Sequence, residues 1–392
     1  MRNRKPLNGD YLQVDLIAPV SIKYSYRATE AQMYEIAKFL AENQIKTDVL
    51  VPKYEDMKSA PRKDYLEISK RFDSVSIKYI DCIKLSLPLN YHLYFYPRLP
   101  GSEVIYFPYS IYDHFLNIIT KRKGQIYVIA AHSMHLKNGY IIAGHRFVES
   151  VFNWFLRNFV LSNKEVINNV YYHVINLEEA EYLKSLGIKR SKIIYIPTFI
   201  DVSSFEFGPN SAKRLQVVHI GGKNKNAEAM LDIITALGKT DKMGHFDFYF
   251  VGKEQPKELE RLADFYSNIH CLNEISDYEK IKLLRKMDIM IVPAIETFSR
   301  SMLEGLASGL YIMANGMNPA AVEIKKLGGK MSITNGNDTT AYVTQLERLF
   351  KRKNSDRSFY SKRFENHSLA LKYFDKKIIL NRFLAMFNKL LD

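Results

Sequence analysis

Two glutamates, Glu296 and Glu304, stand with seven residues between them in Glu296-Thr297-Phe298-Ser299-Arg300-Ser301-Met302-Leu303-Glu304. The first follows an apolar run, Ile289-Met290-Ile291-Val292, through Pro293. This reads as a strand running into a loop that carries a carboxylate. Ser299 and Ser301 mark the entry to a helix, with Glu304 inside it. Carboxylates so placed can flank one ligand. The backbone N–H groups between them, at a helix start, suit a diphosphate. Arg300 beside them is either a phosphate ligand or an exposed cation.

A second constellation is Val217-Val218-His219-Ile220-Gly221-Gly222-Lys223-Asn224-Lys225-Asn226, a strand, a glycine turn and a helix start. Gly221 and Gly222 let the backbone approach a ligand, and Lys223 and Lys225 bring positive charge for a diphosphate. The alternative is two surface lysines after a tight turn. Gly252-Lys253 ends the following strand in a similar way, with Gly252 expected to act through its backbone. In the first half, the strand 126–131 delivers His132, with His135 three residues on. A histidine there can relay a proton or stabilise charge near neutral pH; a structural histidine is the plainer reading. Arg27 and Lys23, in a polar, aromatic stretch, are candidates for an acceptor phosphate.

These side chains need a scaffold that delivers strand ends to one edge. The first half supplies short apolar runs alternating with helical patterns, at 11–18, 47–51, 75–80, 104–107, 126–131, 170–175 and 193–196, with helices over 29–43 and 178–186. Gly208-Pro209-Asn210-Ser211 is the clearest linker. Beyond it strands are expected at 216–220, 246–251, 269–272, 289–292 and 311–314, with helices at 226–237, 256–266, 277–286 and 300–308. The last forty or so residues read as helix throughout. The implied class is α/β, two doubly wound Rossmann-like domains in tandem, 1–205 and 206–367, followed by a helix over 368–392.

Composition agrees with a globular chain: 392 residues, 47% hydrophobic and 25% charged. No apolar run reaches the roughly eighteen residues of a membrane span, and the basic start does not lead into a signal sequence. A cytoplasmic protein is expected. Cys82 and Cys271 make neither a disulfide framework nor a zinc site. Fifty-six basic against forty-two acidic residues give +14, which favours anionic partners or simply a solvated surface. Residues 139–161 mix aromatics with Arg, either as a surface that docks on an anionic membrane or as a buried helix.

The motif around Glu296 and Glu304, with Leu303-Glu304-Gly305-Leu306-Ala307-Ser308-Gly309 and Leu310-Tyr311-Ile312-Met313-Ala314 after it, resembles retaining glycosyltransferases of the GT-B fold, in particular family 4 (glycosyl transferases group 1). Ile193-Ile194-Tyr195-Ile196-Pro197-Thr198-Phe199-Ile200-Asp201 resembles the family's domain-border signature, and Pro319-Ala320-Ala321-Val322-Glu323-Ile324 its loop near the nucleotide. The resemblance spans about residues 10–350. It implies two domains facing across a cleft, an N-terminal acceptor domain, a C-terminal donor domain, and a last helix crossing back to the first. It implies a nucleoside diphosphate sugar donor, with UDP or GDP as the nucleotide, a hexosyl group transferred with retention, and a glycan or lipid-linked acceptor. Glu304 would hold the ribose, Glu296 the sugar hydroxyls, Lys223 and Lys225 the phosphates, Phe298 would belong to the donor site, and His132 would reach the donor sugar. Glu323 would orient the nucleotide or merely begin a helix. The absence of Asp-x-Asp, the metal signature of the other main glycosyltransferase fold, implies that no metal is required. Ser299 and Tyr311 stand where the family has Gly and Pro.

Three rival classes remain, among them a nucleotide-sugar epimerase of the same architecture, which needs an array of cleft carboxylates that the sequence does not reveal. A non-catalytic scaffold of the same fold would fit the altered positions. A DNA-modifying glucosyltransferase would fit the charge, although the basic residues form no nucleic-acid pattern.

Overall fold

The computed structural model describes residues 13–17, 27–53, 63–87, 91–107, 117, 124–130, 154, 158, 168–206, 208, 212–221, 225–240, 242–296, 298–334, 338–356, 359 and 361–391. The chain divides into two compact units, 1–197 with 380–392, and 198–379. The sequence border thus lies eight residues before the expected 205, because Ile200, Val202 and Phe205 already pack into the second unit's core.

The first unit holds β1 (Gln13–Ile17), α1 (Arg27–Glu42), β2 (Lys46–Lys53), α2 (Lys63–Arg71), β3 (Val75–Asp81), β4 (Ile83–Leu87), β5 (Tyr91–Phe95), β6 (Val104–Phe107), β7 (Ile126–Ala130), β8 (Val170–Val174), α3 (Leu177–Ser185) and β9 (Ile193–Tyr195). Seven strands form a parallel sheet in the order β3-β2-β1-β6-β7-β8-β9, while β4 and β5 pair as a separate antiparallel hairpin. Leu380 onward joins this unit. Phe383 and Phe387 set their rings against Tyr106 at 6.2 Å, and Phe383 lies 5.2 Å from His173. His173 Nε2–H donates to Ile196 O at 2.7 Å, so Nδ1 accepts from the Tyr106 hydroxyl at 2.8 Å. Burial holds its imidazole down to about 4.

The second unit runs β10 (Leu215–Ile220), α4 (Ala227–Gly238), β11 (Phe246–Val251), α5 (Lys257–Phe265), β12 (Ile269–Leu272), α6 (Asp277–Arg285), β13 (Ile289–Val292), α7 (Arg300–Ala307), β14 (Tyr311–Asn315), α8 (Pro319–Lys326), β15 (Met331–Thr334), α9 (Thr339–Ser355), α10 (Ser361–Phe374) and the start of α11 (Lys376–Leu391). Its sheet is parallel in the order β12-β11-β10-β13-β14-β15. Both faces are covered, which is why the strands read as near-continuous apolar runs. Val218, Met290 and Ile312 point to one core with α7, α8 and α10, whereas Val217, Ile289, Ile291 and Met313 point to the other with α4, α5 and α9. The order reverses between β10 and β13, and the carboxyl ends of those two strands form the crevice where doubly wound sheets bind ligands.

The tail is not one helix. α9 stops at Ser355, and α10 and α11 are separated at Asp375, where the backbone turns to Ile200. Ile200 N donates to Phe374 O at 3.1 Å, and Lys376 N to Ile200 O at 2.8 Å.

Candidate functional site

The switch-point crevice starts at two glycine turns. Gly221 follows β10 with φ 143°, and Gly252 follows β11 with φ 139°, conformations that glycine adopts without strain. Gly221 N donates to Val251 O at 2.7 Å, and Gly252 N to Leu272 O at 3.2 Å. The Gln255 amide ties the turns together, its Nε2 lying 3.3 Å from Gly221 O and 3.2 Å from Gly252 O. A Cβ on Gly221 would come within 2.4 Å of Lys225 Cβ, so the missing side chain lets Lys225 fold back over the turn. Asn226 follows in the left-handed region (φ 59°, ψ 47°) and starts α4.

Lys225 reaches the loop after β13 and forms an ion pair with Glu296. Both line a pocket of about 220 Å³ with His219, Ile220, Ser299 and Ser301. Burial pulls the Lys225 ammonium down to about 8. Two residues expected to meet different parts of one ligand therefore meet each other across the crevice.

Ser299 explains its own place. It is buried, and its Oγ accepts from Met302 N at 3.4 Å as the N-cap of α7 while lying 2.9 Å from Ser301 Oγ. Where the resembling family has glycine, this chain has a helix cap. Glu304 lies in the second turn of α7, 3% exposed. Its Oε1 accepts from Lys280 Nζ at 2.9 Å and lies 3.4 Å from Arg300 Nε. Lys280 comes from α6, which opens with a capping box between Ser276 and Glu279, and also donates to Asp277 at 2.9 Å. Burial works against the Lys280 charge, but Glu304 and Asp277 outweigh it and hold its pKa above the ordinary value.

α7 is gripped by α10 at both ends. Arg363 Nη2 donates to Ser308 O at 3.2 Å, Asn366 Nδ2 to Leu310 O at 2.7 Å, and His367 Nδ1 lies 2.5 Å from Ala307 O. At the other end Phe298 meets Phe374 edge-on, with ring centroids 5.8 Å apart.

The structure therefore brings Gly221, Lys225, Glu296 and Ser299 together, with Gly252 beside them through Gln255 and Glu304 on the same helix as its cap. Phe298 does not line the pocket but packs on the core against Phe374. Arg300 is paired with Glu304, and Lys253 with Glu274 at 2.7 Å on the surface. Glu323 is buried in α8, beyond a first turn that carries no acid and begins at Asn318 and Pro319. Arg27 is the first residue of α1. His132, His135, Gly222, Lys223 and Lys23 lie outside the described residues, as do 139–153. His219, Gln255 and Lys280 come from the structure alone. The one sequence signal among them is a histidine just before a double-glycine turn.

Among the described residues, no helix is long and apolar enough to cross a membrane.

The family model "Glycosyl transferases group 1" matches residues 207–365. No curated protein matches the chain. A glycosyltransferase from Rickettsia africae ESF-5 is similar over 98% of this chain and 99% of its own, at 13% identity and TM-score 0.70. Sucrose-phosphate synthase from Thermosynechococcus elongatus is similar over 97% and 99%, at 12% identity and TM-score 0.68. Anabaena HepE in complex with UDP-glucose is similar over 97% and 100%, at 13% identity and TM-score 0.63. The chain thus has the two-domain α/β fold of these glycosyltransferases, and its second unit carries the match to the glycosyl transferases group 1 family.

Proposed function

We propose that the protein is a retaining glycosyltransferase of the family 4 kind, moving a hexosyl group from a nucleoside diphosphate sugar to a hydroxyl acceptor. The observation that carries this reading is the Lys225–Glu296 pair across a pocket at the switch point of the second sheet. In this reading the diphosphate takes Lys225 and the N–H groups at the start of α7, and the sugar hydroxyls take Glu296. Glu304, held by Lys280 and Arg300, accepts the ribose hydroxyls. The bond from the anomeric carbon to the phosphate oxygen breaks, and the nucleoside diphosphate leaves with the electron pair. The acceptor oxygen bonds to the same face, and its proton goes to the departing phosphate. Positive charge aimed at that leaving group lowers the barrier, and Lys225 with the helix amides supplies it in place of a divalent ion. His132, which lies outside the described residues, is the histidine that the resemblance assigns to the donor sugar. The acceptor is a glycan, a lipid-linked molecule or another hydroxyl compound, and the enzyme works in the cytoplasm, at the membrane face for a lipid-linked acceptor.

Because HepE is similar in fold and its structure contains UDP-glucose, UDP-sugars are the first probes and GDP-sugars the second. Calorimetric titration should show Glu304→Ala weakening the bound sugar nucleotide at least hundredfold, as lost hydrogen bonds to a charged group imply. Glu304→Gln, which keeps the shape, controls for packing. Unchanged affinity in the alanine variant would sink the ribose assignment, and absence of transfer or hydrolysis with any donor would favour the scaffold reading.

A further inference from the structure

Among the described residues, the pocket holds a buried imidazole nitrogen that neither its ion pair nor its caps use. His219, the penultimate residue of β10, is 2% exposed and lines the pocket beside Lys225 and Glu296. Its Nδ1 lies 3.1 Å from Ile291 O. A carbonyl only accepts, so Nδ1 carries the proton and Nε2 bears a lone pair. That Nε2 is buried and has no hydrogen-bond partner among the described residues. Burial is the main cause holding the imidazole down to about 4, opposed by the bond to Ile291 and aided by the Lys225 charge, so the ring stays neutral. A bare buried acceptor is disfavoured by a factor of about ten to a hundred in an equilibrium constant.

We propose that His219 is a specificity-determining residue whose Nε2 accepts a hydrogen bond from a hydroxyl of the transferred sugar. This rests on reading the pocket as the sugar-nucleotide donor site. A phosphate oxygen cannot serve Nε2, since both only accept. The partner must bring an O–H or N–H group, and the sugar is the part of the donor that shares this pocket with Glu296. Donors lacking the matching hydroxyl leave Nε2 bare and are rejected, which is how a hydrogen-bonding site discriminates more sharply than an apolar one.

The test titrates the full chain, wild type and His219→Phe, with UDP, GDP, UDP-glucose, UDP-N-acetylglucosamine and GDP-mannose. The phenylalanine variant should weaken the preferred sugar nucleotide by about tenfold or more and leave the matching free nucleoside diphosphate unchanged. Equal loss for both, or loss for neither, overturns the inference while leaving the donor-site reading standing. A wild type that binds none of the five refutes the donor-site reading and this inference with it. Without any variant, the nitrogen-15 resonance of His219 Nε2 in the wild-type protein should move upfield with the sugar nucleotide and stay in place with the free diphosphate. A resonance unmoved by both overturns the assignment.

Discussion

His173 in the first unit and His219 in the second are each the penultimate residue of a parallel strand, β8 and β10, and each is 2% exposed. Burial lowers the pKa of both to about 4, and each gives one ring N–H to a backbone carbonyl, Ile196 or Ile291. They part at the second nitrogen. In His173 it accepts from the Tyr106 hydroxyl beside the ring of Phe383, whereas in His219, which lines a pocket, it has no hydrogen-bond partner among the described residues. Residue type, burial and charge state therefore do not distinguish a structural histidine from a binding one. Whether the protein itself supplies the last donor does.

The largest expected effect separates the two by stability. His173→Phe strips partners from Tyr106 and Ile196 and should cost about 2–4 kcal/mol in urea unfolding, while His219→Phe loses the bond to Ile291 O but also removes the bare Nε2, and should leave stability near that of the wild type at neutral pH. Equal losses would break the contrast. Acid sharpens it. Between pH 6.5 and about 4 the unfolded chain takes up a proton on His219 that the folded chain refuses, so this group's stability is present above 6.5 and lost as pH falls through about 4. His219→Phe should escape that loss, gaining about 3 kcal/mol on wild type by pH 4; a constant difference across the range would refute the neutral ring.

Two smaller effects probe the pocket around His219. Lys225→Met should weaken UDP or GDP binding by about tenfold to a hundredfold. In the wild type, affinity should hold below pH 8 and fall by about tenfold per unit above it, because the diphosphate favours the ammonium form. A flat profile to pH 10 would remove Lys225 from phosphate binding. The mildest change is Gln255→Ala, which frees the two glycine turns and should reduce nucleotide affinity by about fivefold, near 1 kcal/mol. No change there would mean that the turns hold their shape unaided.

The apolar strands were legible because a parallel strand covered on both faces is written as an unbroken run, as in Ile289–Val292. The hairpin β4–β5 was not, since Lys84, Ser86 and His92 interrupt it. α2 was hidden by its polar composition, and β15 by Ser332 and Thr334, which break its apolar run. α8 reads as loop from Pro319 until one sees Asn318 capping it. In the site, Glu296, Ser299 and Glu304 share one contiguous motif and could be read together. Lys280, Gln255 and His219 join it only through sheet order, which no spacing along the chain encodes. Phe298 is the opposite case, a motif position whose side chain packs on the core against Phe374.

The grip of α10 on α7 sets where the second unit can be cut. The family match ends at residue 365, between Arg363 and Asn366. A fragment ended there would shed Asn366, His367 and Phe374, opening the carbonyls of Leu310 and Ala307 and one face of Phe298 to water. It would also lose the backbone pairing of Ile200 with residues 374–376. An excised second unit therefore has to begin before Ile200 and run past Lys376, a minimal expression unit wider than the family match suggests.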